Sequence, residues 1–256
     1  MSELPVHRFP GRDGVELAYR EVGHGRPIVL LHGFATSGSL WLNPGPAATI
    51  AALGYRLILP DLRGHGDSAH PRDAASYPPD VLADDGLALV DWLGLDDYDL
   101  GGYSLGGRIA LRMLARGARP IRAIVAAQGF SAITRPLSPN NLYRRVLMGM
   151  LNGETFDRGT PEAEQAFWFG QGTVDPQALL HVLDAQVPTP AAELPRITTP
   201  VLVAVGDQDQ GHASASELAE ALPNGEFVRV PGNHFTAMTS PEFAAAVTYF
   251  LGSRSR

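Results

Sequence analysis

Residues 97–114 read Asp97-Tyr98-Asp99-Leu100-Gly101-Gly102-Tyr103-Ser104-Leu105-Gly106-Gly107-Arg108-Ile109-Ala110-Leu111-Arg112-Met113-Leu114, a strand, a glycine-flanked turn and a helix in succession. Gly102 to Gly106 match G-x-S-x-G, the pattern that seats a serine on a sharp strand-to-helix turn. The run before it is strand-like, and residues 107–114 read as a helix. On such a turn the Ser104 hydroxyl stands above a sheet, with the positive end of the new helix aimed at it. Glycines at 102 and 106 let backbones pass where a β-carbon would clash. Ser104 is therefore a candidate nucleophile.

Outward from this turn, short apolar runs alternate with helical stretches, the signature of a mostly parallel sheet covered on both faces. Residues 15–20 alternate and predict an edge strand. Residues 27–31 and 56–60 are continuous apolar runs, as expected of strands buried on both faces. Val81, Leu82, Leu87, Leu89, Val90 and Leu93 have helical spacing after Pro78-Pro79-Asp80. Further strands are predicted at 121–127, 201–205 and 226–230, and Ser240-Pro241 opens a last helix with a cap and a first-turn proline. Between 130 and 194 strand candidates vanish. Prolines there punctuate short helical pieces carrying Phe167-Trp168-Phe169. The expected architecture is an α/β core, residues 1–129 and 195–256, with a small helical cap inserted at 130–194.

The bulk numbers narrow the function. A chain of 256 residues, 45% hydrophobic and 18% charged, suits one large α/β domain with a sizeable core. A net charge of −7 without a basic patch argues against nucleic-acid binding. No apolar run is long enough to span a membrane, and residues 1–10 lack the basic and apolar regions of a signal peptide. A cytoplasmic location is expected. The chain contains no cysteine, which excludes disulfides, thiol catalysis and Cys-ligated zinc. It contains no lysine either, which removes Schiff-base chemistry and a Ser-Lys dyad. Abundant Ala, Gly, Pro and Arg without Lys points to a GC-rich bacterial genome.

A serine hydroxyl is a weak nucleophile and needs a base in hydrogen-bond reach with an orienting acid behind it. The chain order for this fold is Ser, acid, His. Gly206-Asp207-Gln208-Asp209 and Pro231-Gly232-Asn233-His234-Phe235 both follow predicted strands, where open α/β sheets place their sites. His234 is the candidate base, and Asp207 and Asp209 are both available as the acid. Gln128-Gly129-Phe130, after the 121–127 strand, offers no carboxylate. The oxyanion hole would take one backbone N–H from Leu105 and one from the loop His32-Gly33-Phe34; each such donor is typically worth about 3 kcal/mol. Tyr103, Phe130, Met148, Trp168 and Phe235 are candidate pocket residues. Asp61-Leu62-Arg63-Gly64-His65-Gly66-Asp67-Ser68 crowds metal-binding residue types but lacks a convergent third histidine, so no metal is expected. His65, His70 and His212 receive no role, and His32 is expected to organise its loop.

Taken together, these motifs resemble the α/β-hydrolase superfamily, in its capped esterase and peptidase-like branch, and they span nearly the whole chain in order. The resemblance implies Asp209 as the acid, because it stands three positions after Gly206. It also implies Phe34 as the second oxyanion amide and a structural turn at 61–68. The implied activity is cofactor-free serine hydrolysis of small to medium esters or related carbonyl compounds, by a monomer or homodimer. Lactone or C–C bond hydrolysis, cofactor-free peroxidation, aminopeptidase action and acyl transfer share the same triad. Serine at the elbow points away from dehalogenases and epoxide hydrolases, which carry aspartate there. A small-molecule receptor on a retained fold is the rival from another class.

Overall fold

In the computed structural model, which describes residues 4–42, 45–172 and 174–253, the apolar runs form the middle of one sheet. The strands are β1 (His7–Pro10), β2 (Glu16–Gly23), β3 (Arg26–Leu31), β4 (Tyr55–Pro60), β5 (Asp99–Tyr103), β6 (Ala123–Ala126), β7 (Val201–Gly206) and β8 (Gly225–Val230). Among the described residues they lie in the order β1-β2-β4-β3-β5-β6-β7-β8. The pairs β1–β2 and β2–β4 are antiparallel, and every later pair is parallel.

The helices are α1 (Ala47–Ala52), α2 (Val81–Trp92), α3 (Leu105–Ala115), α4 (Phe130–Thr134), α5 (Leu142–Leu151), α6 (Pro161–Gly170), α7 (Pro176–Asp184), α8 (Ala215–Glu220) and α9 (Pro241–Gly252). The two-residue period of a strand divides the core between the two sheet faces. Val29 and Leu31 join the side chains of α2, α3 and α8, such as Leu89, Ile109 and Leu218. Ile28 and Leu30 join Ile50 of α1 and Phe243 and Val247 of α9. All four β3 side chains are fully buried, each worth about 1.5–3 kcal/mol of transfer free energy. At the start of α9 the Ser240 hydroxyl accepts from the Phe243 N–H at 3.1 Å, and Pro241 occupies the first turn. No helix among the described residues is long and apolar enough to cross a membrane.

One strand sits differently from its expectation. Residues 15–20 belong to β2, which lies between β1 and β4 and is not the sheet edge. The edge on that side is β1, a four-residue strand too short to announce itself by periodicity. Alternation reports which face of a strand is buried, and it carries no information about which neighbours pair with it. Helices α4 to α7 follow one another between β6 and β7, and the described residues there contain no strand.

Candidate active site

The turn at Ser104 is enforced by sterics on both sides. A β-carbon at Gly102 would lie 2.0 Å from the Gly106 carbonyl oxygen, and one at Gly106 would lie 2.2 Å from that of Leu31. Only glycine fits either place. Ser104 itself takes φ 54°, ψ −115° as the N-cap of α3, a strained conformation for a residue with a β-carbon. Its backbone is held by the Ser104 N–H donating to Ala126 at 2.9 Å and by its carbonyl accepting from the Gln128 carboxamide at 2.6 Å.

The hydroxyl faces two further loops. Ser104 Oγ is 2.9 Å from Nε2 of His234, and His234 Nδ1 is 2.8 Å from Oδ2 of Asp209. Because an ionised carboxylate only accepts, Nδ1 carries the proton and Nε2 is free to accept from the serine. Asp209 follows β7 and His234 follows β8, so the loops that carry them leave the C-terminal ends of neighbouring strands. Asp207 does something else. Exposed, it accepts the Gly232 N–H at 2.9 Å and so pins the loop that carries His234.

Asp209 is buried and has a second partner, because His212 Nδ1 lies 3.0 Å from its Oδ1. Burial pushes its pKa up, but the hydrogen bonds from His212 and His234 outweigh burial and hold it well below the usual carboxylate range. The ligand atoms of Asp209, His212 and His234 all lie within 4.8 Å of one another, which is metal-binding spacing. Each oxygen of Asp209 already accepts from an imidazole in this arrangement.

The loop after β3 lies against the elbow, with a β-carbon at Gly33 standing 3.6 Å from that of Ser104. His32 is fully buried; Nδ1 donates to the Gly33 carbonyl at 2.7 Å and Nε2 accepts the Leu62 N–H at 3.0 Å. Desolvation lowers its pKa against the field of Asp61, as suits a neutral ring that ties two loops together. Asp61 accepts the N–H groups of Gly38 and Asp67, so residues 61–68 form a self-bonded turn behind the site. Leu105 opens α3, where the first N–H groups have no intrahelical acceptor.

A cavity of about 230 Å³ holds Ser104, Phe34, Leu105, Arg108, Tyr143 and His234 in its wall. A second, of about 450 Å³, shares Tyr143, His212 and His234 with the first and is lined by Asp209, Trp168 and Phe235 among others. Trp168 and Phe235 stack across its mouth, rings 6.4 Å apart. A third, of about 470 Å³, is lined by Arg20, Asp61 and Asp67 but not by Ser104; these three charges already pair with one another.

Three expected pocket residues stand elsewhere. Tyr103 is buried under the site, its hydroxyl donating to the His234 carbonyl at 2.8 Å and its ring packing on Phe243, because the strand period turns it away from the Ser104 side. Phe130 packs into the core, and Ser131 and Ala132 of α4 reach the cavity instead. Met148 is exposed on α5. Tyr143, five residues earlier and about 140° round the helix, takes the pocket position and stacks on Phe34 at 5.3 Å.

Gln128, His212, Tyr143 and Arg108 were not read from the sequence. His212 had one legible signal, its place three residues after Asp209 in a turn. The others are brought in by packing between distant segments.

A family model described as alpha/beta hydrolase fold matches residues 26–163. The chain is 30% identical over 255 residues to a non-heme chloroperoxidase, CPO-A1, from Kitasatospora aureofaciens, covering 89% of this chain and 91% of the relative. The crystal structure of a hydrolase from Pseudomonas aeruginosa superposes with a TM-score of 0.77 at 26% identity, covering 97% of this chain and 98% of that one. A thermophilic esterase from Thermogutta terrifontis superposes with a TM-score of 0.75 at 27% identity, covering 96% and 98%. The strand order, the elbow and these likenesses agree, and the chain belongs to the alpha/beta hydrolase superfamily.

Proposed function

We propose that the protein is a cofactor-free serine hydrolase acting on carboxylic esters of small to medium size. The observation that carries this reading is the continuous chain Asp209–His234–Ser104, with contacts of 2.8 and 2.9 Å, opening on a cavity beside the elbow. In this reading His234 Nε2 takes the Ser104 proton as Oγ attacks the ester carbonyl. The N–H groups of Phe34 and Leu105 stabilise the oxyanion. His234 then returns the proton to the leaving alcohol, and water attacks the acyl-enzyme by the same route in reverse. Asp209, ionised and buried, holds the productive tautomer and balances the imidazolium charge. Residues 130–194 act as the cap, with Tyr143, Trp168 and neighbouring side chains bounding the substrate.

The likeness to a chloroperoxidase over 89% of the chain favours a second reading on the same residues. Hydrogen peroxide in place of water would cleave the acyl-enzyme to free serine and a peracid. The two share every step up to the acyl-enzyme.

The test is a fluorophosphonate probe with intact-mass detection, followed by ester turnover with water or peroxide as acceptor. A single adduct, absent in Ser104→Ala, together with ester hydrolysis is the expected result. A folded protein that neither reacts with the probe nor turns over esters would count for the receptor reading instead.

A further inference from the structure

Arg108 is a buried cation beside Ser104, and among the described residues no carboxylate is bonded to it. It is 5% exposed, and its backbone N–H donates to the Ser104 carbonyl at 3.1 Å, one helical turn into α3. Helical side chains lean toward the helix N-terminus, which directs this one at the elbow. It lines the 230 Å³ cavity that also contains Ser104, Phe34 and Leu105. Its protein partners are neutral carbonyls: Nη1 donates to Ala132, and Nη2 to Arg135 at 3.4 Å. Its Nε is buried without a partner.

The contrast with Arg63 is instructive. That guanidinium is fully buried too, but Asp13 and Asp85 embrace it at 2.7 and 2.8 Å. Asp80, the carboxylate whose charge reaches Arg108, is itself bonded by Arg112 and Arg116. Burial accordingly pushes the Arg108 pKa down to about 10, against the pull of Asp80. A buried charge is costly until paired. The cavity wall adds a second arginine, Arg135, and the hydroxyls of Ser131 and Ser138, and contains no Asp or Glu. An anion entering this space meets these cations and hydroxyls together with the carboxamides of Gln128 and Gln186, and no opposing carboxylate.

We propose that Arg108, together with Arg135, forms an anion subsite that selects acyl groups bearing a carboxylate a few bonds from the reacting carbonyl. The acyl side is assigned because this cavity contains Ser104 with Phe34 and Leu105, whose amides hold the oxyanion in that reading, whereas the Trp168 cavity contains His234 but none of these three. The inference rests on the serine-hydrolase reading. A planar guanidinium suits a carboxylate by paired N–H donation, and Nε is the donor still unused.

The experiment compares monomethyl glutarate with methyl pentanoate, of equal chain length, by proton release at constant pH. The wild type is expected to favour the charged ester by at least about tenfold in kcat/KM, the scale of one charge-assisted hydrogen bond. Arg108→Gln should bring the ratio to about one, and Arg116→Gln, at the C-cap of α3 and outside the cavity, should keep the wild-type ratio. Calorimetric titration with glutarate monoamide and with its neutral diamide provides a readout that needs no turnover. The wild type should bind the monoamide preferentially, even if Arg108→Gln fails to fold. Fluorophosphonate labelling separates the two readings. A labelled serine without charge preference in either assay overturns the subsite and leaves the hydrolase. An unlabelled serine with monoamide binding that depends on Arg108 upholds the subsite and overturns the hydrolase. Equal binding of monoamide and diamide overturns the subsite in every case.

Discussion

The imidazoles of His212 and His234 lie nearly parallel, centroids 4.9 Å apart and planes 20° apart, and each bonds a different oxygen of Asp209. The proposed acid thus has both oxygens engaged before a substrate arrives. Removing His212 frees one of them and leaves the His234 contact in place. A hydrogen bond to a charged group is worth about 1.5–3 kcal/mol, so His212→Ala is expected to lower kcat/KM by about 10- to 100-fold. Steady-state kinetics on an ester checks this. A loss as large as that of Ser104→Ala would give His212 a more direct part in proton transfer.

The two candidate acids should separate cleanly by mutation. Asp209 meets His234 at 2.8 Å, while the Asp207 carboxylate accepts from the Gly232 N–H at 2.9 Å. Asp209→Asn is expected to cost about 10⁴ in kcat, the scale seen when an imidazole loses its correct tautomer. Asp207→Asn should cost less than about tenfold, through a loosened loop. Equal losses would show that positioning of the 231–235 loop dominates over the acid.

Asp209 also predicts an acid-side stability effect. Its folded pKa is lowered, with the two imidazole bonds outweighing burial, while the unfolded chain titrates near an ordinary value of about 3.9. The unfolded state therefore binds protons first. The stabilisation is complete well above pH 4 and is lost as pH falls from there through the folded pKa. Urea midpoints measured between pH 5 and pH 3 should fall more steeply for the wild type than for Asp209→Asn. Parallel curves would remove Asp209 from the acid response.

The elbow glycine gives a structural prediction. A methyl group at Gly102 would sit 2.0 Å from the Gly106 oxygen, against backbone that cannot swing aside. Gly102→Ala is expected to destabilise the fold by about 3 kcal/mol or more and to abolish Ser104 labelling in whatever folded fraction remains. A stable, fully labelled variant would mean that the turn has an alternative geometry.

Much of this molecule is legible before folding because its signals are local. The runs at 27–31, 57–60 and 201–205 are apolar at every position, and such runs become interior strands wherever helices cover both faces. G-x-S-x-G is legible for a related reason. Chain neighbours supply one clash that demands glycine, at Gly102, and the strand–turn–helix order around Ser104 is written in eighteen consecutive residues. The edge strand at 7–10 is not legible because four residues cannot display a period, and its pairing with β2 is a contact between segments.

By itself, then, the sequence determined the sheet-and-helix alternation, the elbow and the loops that deliver Asp209 and His234, since these follow from hydrophobic period and turn chemistry. Tertiary structure alone decided which face each residue presents across the site. It put Tyr143 and not Met148 in the pocket, Tyr103 beneath His234, and Arg108 in the cavity wall without a bonded carboxylate. Each of those outcomes depends on the packing of segments tens of residues apart, where distance along the chain says nothing about distance in space.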